Sequence, residues 1–235
     1  PFIKDVVLDR RYSRFNIIYL FFLMKNIKKL KIEKVYDLQN SSRTNFYKKI
    51  LFPNSDKEIW SSSITTLPSE TNKENFDKLP VLERFNHQLT STGLKTHHTL
   101  VPNFAWARED INEIKNFYGL DKYILLFPFC SPHLKLKKWP YYNDLIKLIF
   151  KKFNNKYKIV TAPAPSEITE AKSYKAEIIL NKKKSLDISK LASLIKSSSF
   201  VVANDTGPAH MAAHLGAKGL SLFGQHTTSY KVSID

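Results

Sequence analysis

The 235 residues predict an α/β protein with parallel sheets, and three observations support that prediction. From residue 123 onward, short apolar runs alternate with stretches whose apolar residues recur at helical spacing. Polar motifs follow two of the predicted strands directly, which is where proteins with parallel sheets bind their ligands. The composition, 43% hydrophobic and 25% charged, is typical of a globular protein with a core of its own.

The first half of the chain predicts a less regular series of strands and helices. We expect a strand at residues 6–8, a core-facing helix at 15–30, a strand at 34–38, and helices at 43–51, 81–94 and 110–118. Residues 53–80 are rich in Ser, Thr, Asn and Pro, and we expect them to be mostly loop. The apolar run in the first helix is too short to cross a bilayer, because a span takes about 20 residues. A surface-lying amphipathic anchor is the alternative to a core-facing helix.

The second half predicts a regular alternation. We expect strands at 123–127, 158–162, 177–180 and 200–203, a last strand near residue 220, and helices at 142–153, 166–174, 188–196 and after residue 206. Parallel strands covered by helices on both faces explain this pattern. The two halves together predict two domains, residues 1–115 and residues 116–235.

The turn after the predicted strand at 200–203 suits an anion. Asp205, Thr206, Gly207 and Pro208 lie where the strand passes into a short helix, whose first N–H groups lack partners and whose dipole is positive there. Pro208 fits the first helical position, and Gly207 permits close approach to the backbone. Gly216 suits the end of the helix. An ordinary capped turn between strand and helix is the alternative.

Three segments carry recognisable motifs: Asp-Leu-Gln-Asn-Ser-Ser-Arg at 37–43, Lys-Lys-Trp-Pro at 137–140, and Asp-Thr-Gly-Pro-Ala-His at 205–210. In this order they resemble motifs of glycosyltransferase family 9, the ADP-heptose:lipopolysaccharide heptosyltransferases. The resemblance covers most of the chain and is weakest at 54–80. It implies a GT-B fold of two Rossmann-like domains, with the acceptor bound by the first domain and the donor by the second.

The resemblance implies an inverting transfer of heptose from ADP-heptose to the lipopolysaccharide inner core, with no metal or other cofactor. Such a transfer needs a base for the acceptor hydroxyl, positive charge for the departing diphosphate, and a fixed sugar. We expect Lys137 to neutralise the diphosphate, Asp205 to hold sugar hydroxyls, and His210 to reach phosphate or sugar. His210 and His214 have the spacing of some metal ligands, but the sequence offers no evident third ligand.

Further site residues follow from the family only. A Ser or Thr after the first strand of the second domain contacts phosphate in the family, which points to Ser131. A glutamate after the next strand binds the ribose, which points to Glu167, although residues 161–167 depart from the usual Gly-Gly-x-x-Glu. Lys135 is the alternative to Lys137, because the loop before the Lys-Trp-Pro segment is slightly long.

The formal net charge of +16 is explained first by drift in composition, since 31 of the 37 basic residues are Lys, and attraction to an anionic surface is the alternative. A nucleic-acid partner is disfavoured, because no binding motif accompanies the charge. The expected partners are a nucleotide sugar, a lipopolysaccharide-core acceptor and the inner-membrane surface. The single cysteine, Cys130, excludes an internal disulfide and fits a cytoplasmic location, with peripheral association at the inner membrane left open.

The expected general base is an acidic residue after the first strand of the family's N-terminal domain. Asp5 and Asp9 do not match that motif, and the matching segment would precede Pro1. We therefore expect residues 1–235 alone to bind donor weakly and to turn over poorly. A non-catalytic nucleotide-sugar or anionic-glycan binding protein with a degenerate site is the alternative function. A nucleotide-sugar epimerase of related fold is disfavoured by the Lys-Trp-Pro segment.

Overall fold

A computed structural model describes residues 3–225 and 227–234. Contacts divide the chain into two compact units, Pro1–Thr99 and Leu100–Asp235, which we describe separately. This division precedes the expected one at residues 115 and 116. The physical reason is the packing of Ile111 and Ile114, which lie in the hydrophobic core of the C-terminal unit.

The N-terminal unit is built around a small parallel sheet. Its elements within the described residues are α1 (Ile17–Lys29), β1 (Val35–Tyr36), α2 (Ser42–Leu51), β2 (Trp60–Ser61), α3 (Lys73–Phe76) and α4 (Val81–Thr90). Gln88, on α4, ties the two strands together, because its Nε2 donates to the carbonyl oxygens of Asp37 and Ser61 at 3.1 and 3.0 Å. The Gln88 side chain is buried, so these bonds replace water that would otherwise solvate the strand ends.

Two expectations for the first half are wrong. Residues 6–8 form no strand in the part of the chain that the structure describes, and Val6 is 80% exposed, because no neighbouring strand supplies a ladder. The helix expected to face the core buries only Leu20 and Leu23, since its apolar residues surround the helix instead of forming one stripe. The segment 53–80 is mostly loop, as expected, and contains the two short elements β2 and α3. No helix in the described ranges is long and apolar enough to span a membrane.

The C-terminal unit is a five-stranded parallel sheet with helices on both faces, as predicted. Its elements are α5 (Asn112–Tyr118), β3 (Tyr123–Phe127), α6 (Tyr142–Phe153), β4 (Lys158–Thr161), α7 (Ile168–Ala171), β5 (Glu177–Ile178), α8 (Ile188–Ser197), β6 (Phe200–Asn204), α9 (Gly207–His214), β7 (Gly219–Leu222) and α10 (Ser229–Val232). The strand order is β5-β4-β3-β6-β7, and every neighbouring pair is parallel.

Alternating side chains of the central strands fill two hydrophobic clusters. Leu125 and Val201 belong to the cluster that also contains residues of α5, α8 and α9. Leu126 and Val202 belong to the other cluster, which α6 covers with Ile146. All five residues of β3 are therefore buried, which explains its continuous apolar sequence.

The strand order also fixes where a ligand can bind. From β3 the chain moves outward to β4 and β5, and it then returns to place β6 on the other side of β3. In such sheets, a crevice opens at the carboxyl ends of the two strands where the order reverses. Here those strands are β3 and β6.

Candidate functional site

A cavity of about 550 Å³ lies at the carboxyl ends of β3 and β6 in the C-terminal unit. Three segments line most of it: the loop after β3, the loop after β4, and the turn between β6 and α9. Seven of the eight predicted donor-site residues line this cavity: Ser131, Lys137, Glu167, Asp205, Thr206, Gly207 and Pro208. The eighth, His210, does not line it but contacts Asp205.

An ion pair between Lys137 and Asp205 spans the cavity wall. A 3-10 turn at Lys135–Lys137 begins where the Leu134 N–H donates to the Ser131 carbonyl oxygen, at 2.8 Å. The turn directs the Lys137 side chain to the end of β6. Lys137 Nζ donates to Asp205 Oδ2 at 2.7 Å and to the Asp205 carbonyl oxygen at 3.2 Å. The side chain of Lys135 is exposed and does not line the cavity, so Lys137 is the lysine that this geometry brings to the site.

The Asp205 carboxylate is held between two basic groups. Its side chain is only 2% exposed, so its negative charge depends on neighbouring donors and cations. His210 Nε2 lies 3.4 Å from Oδ1, whereas Lys137 contacts the other oxygen, Oδ2. One turn further along α9, burial lowers the pKa of His214, and neighbouring His210 lowers it further. Within the described residues, no group of three His, Cys, Asp or Glu side chains could hold a metal ion.

The start of α9 is open towards the cavity. The Thr206 hydroxyl donates to the Asn204 carbonyl oxygen at 3.2 Å, and the side chain of Thr206, the N-cap residue, does not cap the helix. A Cβ added to Gly207 would meet no atom of the described residues within 4 Å beyond its chain neighbours and its own helix backbone, which leaves room for a close ligand in front of the first turn. Pro208 stands in that first turn, and Gly216, with φ at +61°, follows the last helical residues.

The loop after β4 contributes a carboxyl group. Glu167 ends a 3-10 turn, and its Oε2 accepts the Ala164 N–H at 2.9 Å. Burial raises the pKa of Glu167, the Ala164 N–H opposes that rise, and Glu170 adds to it. On the β3 side, burial raises the pKa of the Cys130 thiol, and this side chain also lines the cavity.

Sequence reasoning missed one buried polar residue next to the cavity. Asn204 is the last residue of β6, directly before Asp205, and its side chain is completely buried. Its hydrogen bonds reach the loop after β3 and the segment after Lys137. The available signal was an amide at the end of an apolar strand, where burial requires hydrogen-bond partners.

In the N-terminal unit, Arg43 forms a bidentate pair with Asp9, which does not match the motif expected for the general base. Arg43 Nε and Nη2 donate to the two carboxylate oxygens at 2.8 and 3.0 Å. The hydroxyls of Tyr19 and Tyr47 donate to the same carboxylate at 2.6 and 2.8 Å. Asp37 has a local role, since its Oδ1 accepts two N–H groups of its own turn at 3.1 and 2.9 Å.

Comparison with known proteins identifies the family. The sequence profile of Glycosyltransferase family 9 (heptosyltransferase) matches residues 23–232. A comparison with curated protein sequences returns no match. The structure of the glycosyl transferase family 9 protein from Veillonella parvula DSM 2008 is similar, with 15% identity, a TM-score of 0.62, and coverage of 92% of this chain and 64% of that one.

The structure of E. coli ADP-heptose lps heptosyltransferase II is also similar, with 15% identity, a TM-score of 0.55, and coverage of 91% of this chain and 69% of that one. The chain thus spans about 64% of the length of the Veillonella protein. These structures confirm the predicted GT-B type of α/β fold. With a profile match that extends over residues 23–232, the chain belongs to glycosyltransferase family 9, the heptosyltransferase family.

Proposed function

We propose that this protein transfers a heptose from ADP-heptose to the lipopolysaccharide inner core, with inversion at the anomeric carbon. The observation that carries the proposal is the Lys137–Asp205 pair, which lies in the cavity beside the open start of α9. Family membership favours a transferase over a binding protein without activity.

In the proposed reaction, the acceptor hydroxyl oxygen attacks the anomeric carbon and loses its proton to a base. The bond between that carbon and the diphosphate oxygen breaks, and its electron pair leaves with ADP. Negative charge then grows on the diphosphate, next to the Lys137 ammonium and the first N–H groups of α9. Both groups are already in place before the charge develops, and such preorganisation is what lowers the barrier.

In this proposal, each of the other cavity residues binds a different part of the donor. Asp205 accepts hydrogen bonds from sugar hydroxyls through the carboxylate that Lys137 and His210 hold. Glu167, on the loop after β4, takes the ribose hydroxyls, and Ser131 donates to a phosphate oxygen. We propose that these contacts require no metal, because the lysine and the helix supply the positive charge that the diphosphate needs.

The acceptor and the location belong to the same proposal. We assign the acceptor to the N-terminal unit and the enzyme to the cytoplasmic side of the inner membrane. The net charge of +16 favours a phosphorylated, anionic acceptor and an anionic surface there.

Calorimetric titration tests the donor site. ADP and ADP-heptose would be titrated into the protein and its Lys137→Ala, Asp205→Ala and Lys135→Ala variants. We expect Lys137→Ala to weaken binding about 10- to 100-fold, because a charge-assisted contact to the diphosphate is lost, and Lys135→Ala to leave the affinity unchanged. Equal losses in the two lysine variants, or no binding by the folded protein, would contradict the proposed site.

The single cysteine gives an independent measurement. Cys130 lines the cavity, so bound ADP should slow its alkylation by N-ethylmaleimide. Burial raises the pKa of the thiol, so alkylation is slow, and it is followed near neutral pH, where N-ethylmaleimide is selective for thiols over the many lysines. Lys137→Ala is the control that loses protection. Inversion is tested separately, by the anomeric configuration of the transferred sugar in NMR spectra of the product.

A further inference from the structure

The Asn204 side chain connects three segments of the chain. Its Oδ1 accepts the Trp139 N–H at 3.2 Å, and its Nδ2 donates to the Phe129 carbonyl oxygen at 3.2 Å. The Tyr142 hydroxyl lies 3.2 Å from the same Oδ1 and 3.2 Å from the carbonyl oxygen of Phe127. A single buried carboxamide thus joins the end of β6, the loop after β3, and the start of α6.

Each of these segments carries a residue of the donor cavity. Phe129 lies two positions before Ser131, and Trp139 lies two positions after Lys137. Asn204 itself is followed directly by Asp205, the partner of Lys137. The carboxamide therefore fixes the distance between the backbone that bears the lysine and the backbone that bears the carboxylate.

The contacts require an amide at this position. Trp139 presents an N–H and Phe129 presents a carbonyl oxygen, so the side chain between them must both accept and donate. A carboxylate would place a second acceptor next to the Phe129 carbonyl oxygen, and the two oxygens would repel each other. An aliphatic side chain would leave the Trp139 N–H and the Phe129 carbonyl oxygen without hydrogen bonds. Asn204 is completely buried, so water cannot easily replace either bond.

We propose that Asn204 is a positioning residue, which holds the Lys137 segment against Asp205 so that the lysine faces the donor diphosphate. The inference rests on the proposed function in that the donor is a nucleotide sugar. It goes beyond the proposed function because it assigns the placement of Lys137 to Asn204, which does not line the cavity.

A double-mutant cycle tests this role. ADP would be titrated calorimetrically into Asn204→Leu in two backgrounds, the natural sequence and Lys137→Ala. We expect the dissociation constant to rise about tenfold in the first background, because a displaced lysine loses its contact, and to change little in the second, where that contact is already absent. The same rise in both backgrounds, or no rise in either, would overturn the inference.

Val202→Ala is the matched control. This residue lies on the same strand and packs in the cluster under α6, so its truncation lowers stability without touching the carboxamide. It should leave the dissociation constant for ADP unchanged, and a rise equal to that of Asn204→Leu would reduce Asn204 to a general structural role. Asn204→Ser provides the same cycle with a smaller polar residue if the leucine variant does not fold.

Hydrogen exchange separates the inference from the proposed function. If the folded protein binds no ADP, the proposed donor site fails, but the placement of the lysine segment can still be measured. Exchange of the Trp139 amide should accelerate about tenfold or more in Asn204→Ser and should not change in Val202→Ala. Equal protection of this amide in the natural protein and Asn204→Ser would overturn the inference without reference to any ligand.

Discussion

Removing the Lys137 ammonium should destabilise the protein more than neutralising the Asp205 carboxylate, although both changes break the same ion pair. At 2.7 Å and an effective dielectric constant of 20, the gross attraction is about 6 kcal/mol. Much of that attraction offsets desolvation, and the two partners are not equally desolvated. The Asp205 side chain is 2% exposed, whereas that of Lys137 is 20% exposed.

Lys137→Met removes the ammonium from a buried carboxylate, which keeps His210 Nε2 at 3.4 Å. We expect a loss of about 3 kcal/mol, the lower end of the cost of removing one partner from a buried ion pair. Asp205→Asn leaves an ammonium that can turn to solvent, and we expect about 1 kcal/mol. The double variant buries no charge at this position, so its loss should also be about 1 kcal/mol.

Urea unfolding of the three variants, followed by tryptophan fluorescence and circular dichroism, measures these differences. Lys135→Met is the control, because its side chain is exposed, and its stability should stay within about 0.5 kcal/mol of the natural protein. A loss in Asp205→Asn as large as that in Lys137→Met would refute the reasoning. So would a double variant less stable than either single variant.

Three further predictions concern single residues. Burial raises the pKa of Asp9, but hydrogen bonds, foremost from Arg43, outweigh it and hold the pKa far below its usual range. The pair therefore stabilises the fold above about pH 4 and loses that effect as the pH falls, so urea unfolding of Asp9→Asn should depend less on pH between about 5 and 2. Gly207→Ala should keep its stability, since the added Cβ has open space among the described residues, but should bind ADP more weakly in calorimetry. Gly216→Ala should lose about 1 kcal/mol in urea, because φ is +61° there. An unchanged pH profile, ADP affinity or urea midpoint would contradict these predictions in turn.

The second half of the fold follows closely from the sequence. The strand at 123–127 and the helix at 142–153 have the predicted bounds. A continuous apolar run marks the buried strand, and a clear helical period marks the amphipathic helix, so both ends of each element can be located in the sequence. The helix expected at 166–174 is shorter, a 3-10 turn followed by α7. Proline and alternating small residues at its start gave no clear period there.

The first half was harder for a physical reason. The strand Trp60–Ser61 contains no apolar run, and it is held by pairing with β1 and by the amide of Gln88, which is distant in sequence. The apolar run at 6–8 has β-forming residues but no partner strand among the residues that the structure describes, so local propensity did not decide its conformation. Contacts between distant residues determine these two segments, whereas local pattern predicted α2 and α4.

The candidate site shows the same division. The sequence motifs named Lys137 and Asp205 separately, and strand-end positions predicted that they would share one edge of the sheet. Their contact joins residues 68 positions apart, and only the strand order creates it. The role of Asn204 depends on three such distant contacts, and local sequence cannot reveal them.

The order of strands in the sheet also sets the order of events during synthesis. β3 is complete at residue 127, but its neighbour β6 begins only at residue 200. At about 5–20 residues per second, a ribosome makes the intervening segment in about four to fifteen seconds. During that interval the apolar β3 has one edge without its native partner, which is the kind of edge that recruits other chains. Translation that stalls between these strands should therefore yield an aggregating or chaperone-bound chain, and the nucleotide site can assemble only after it resumes.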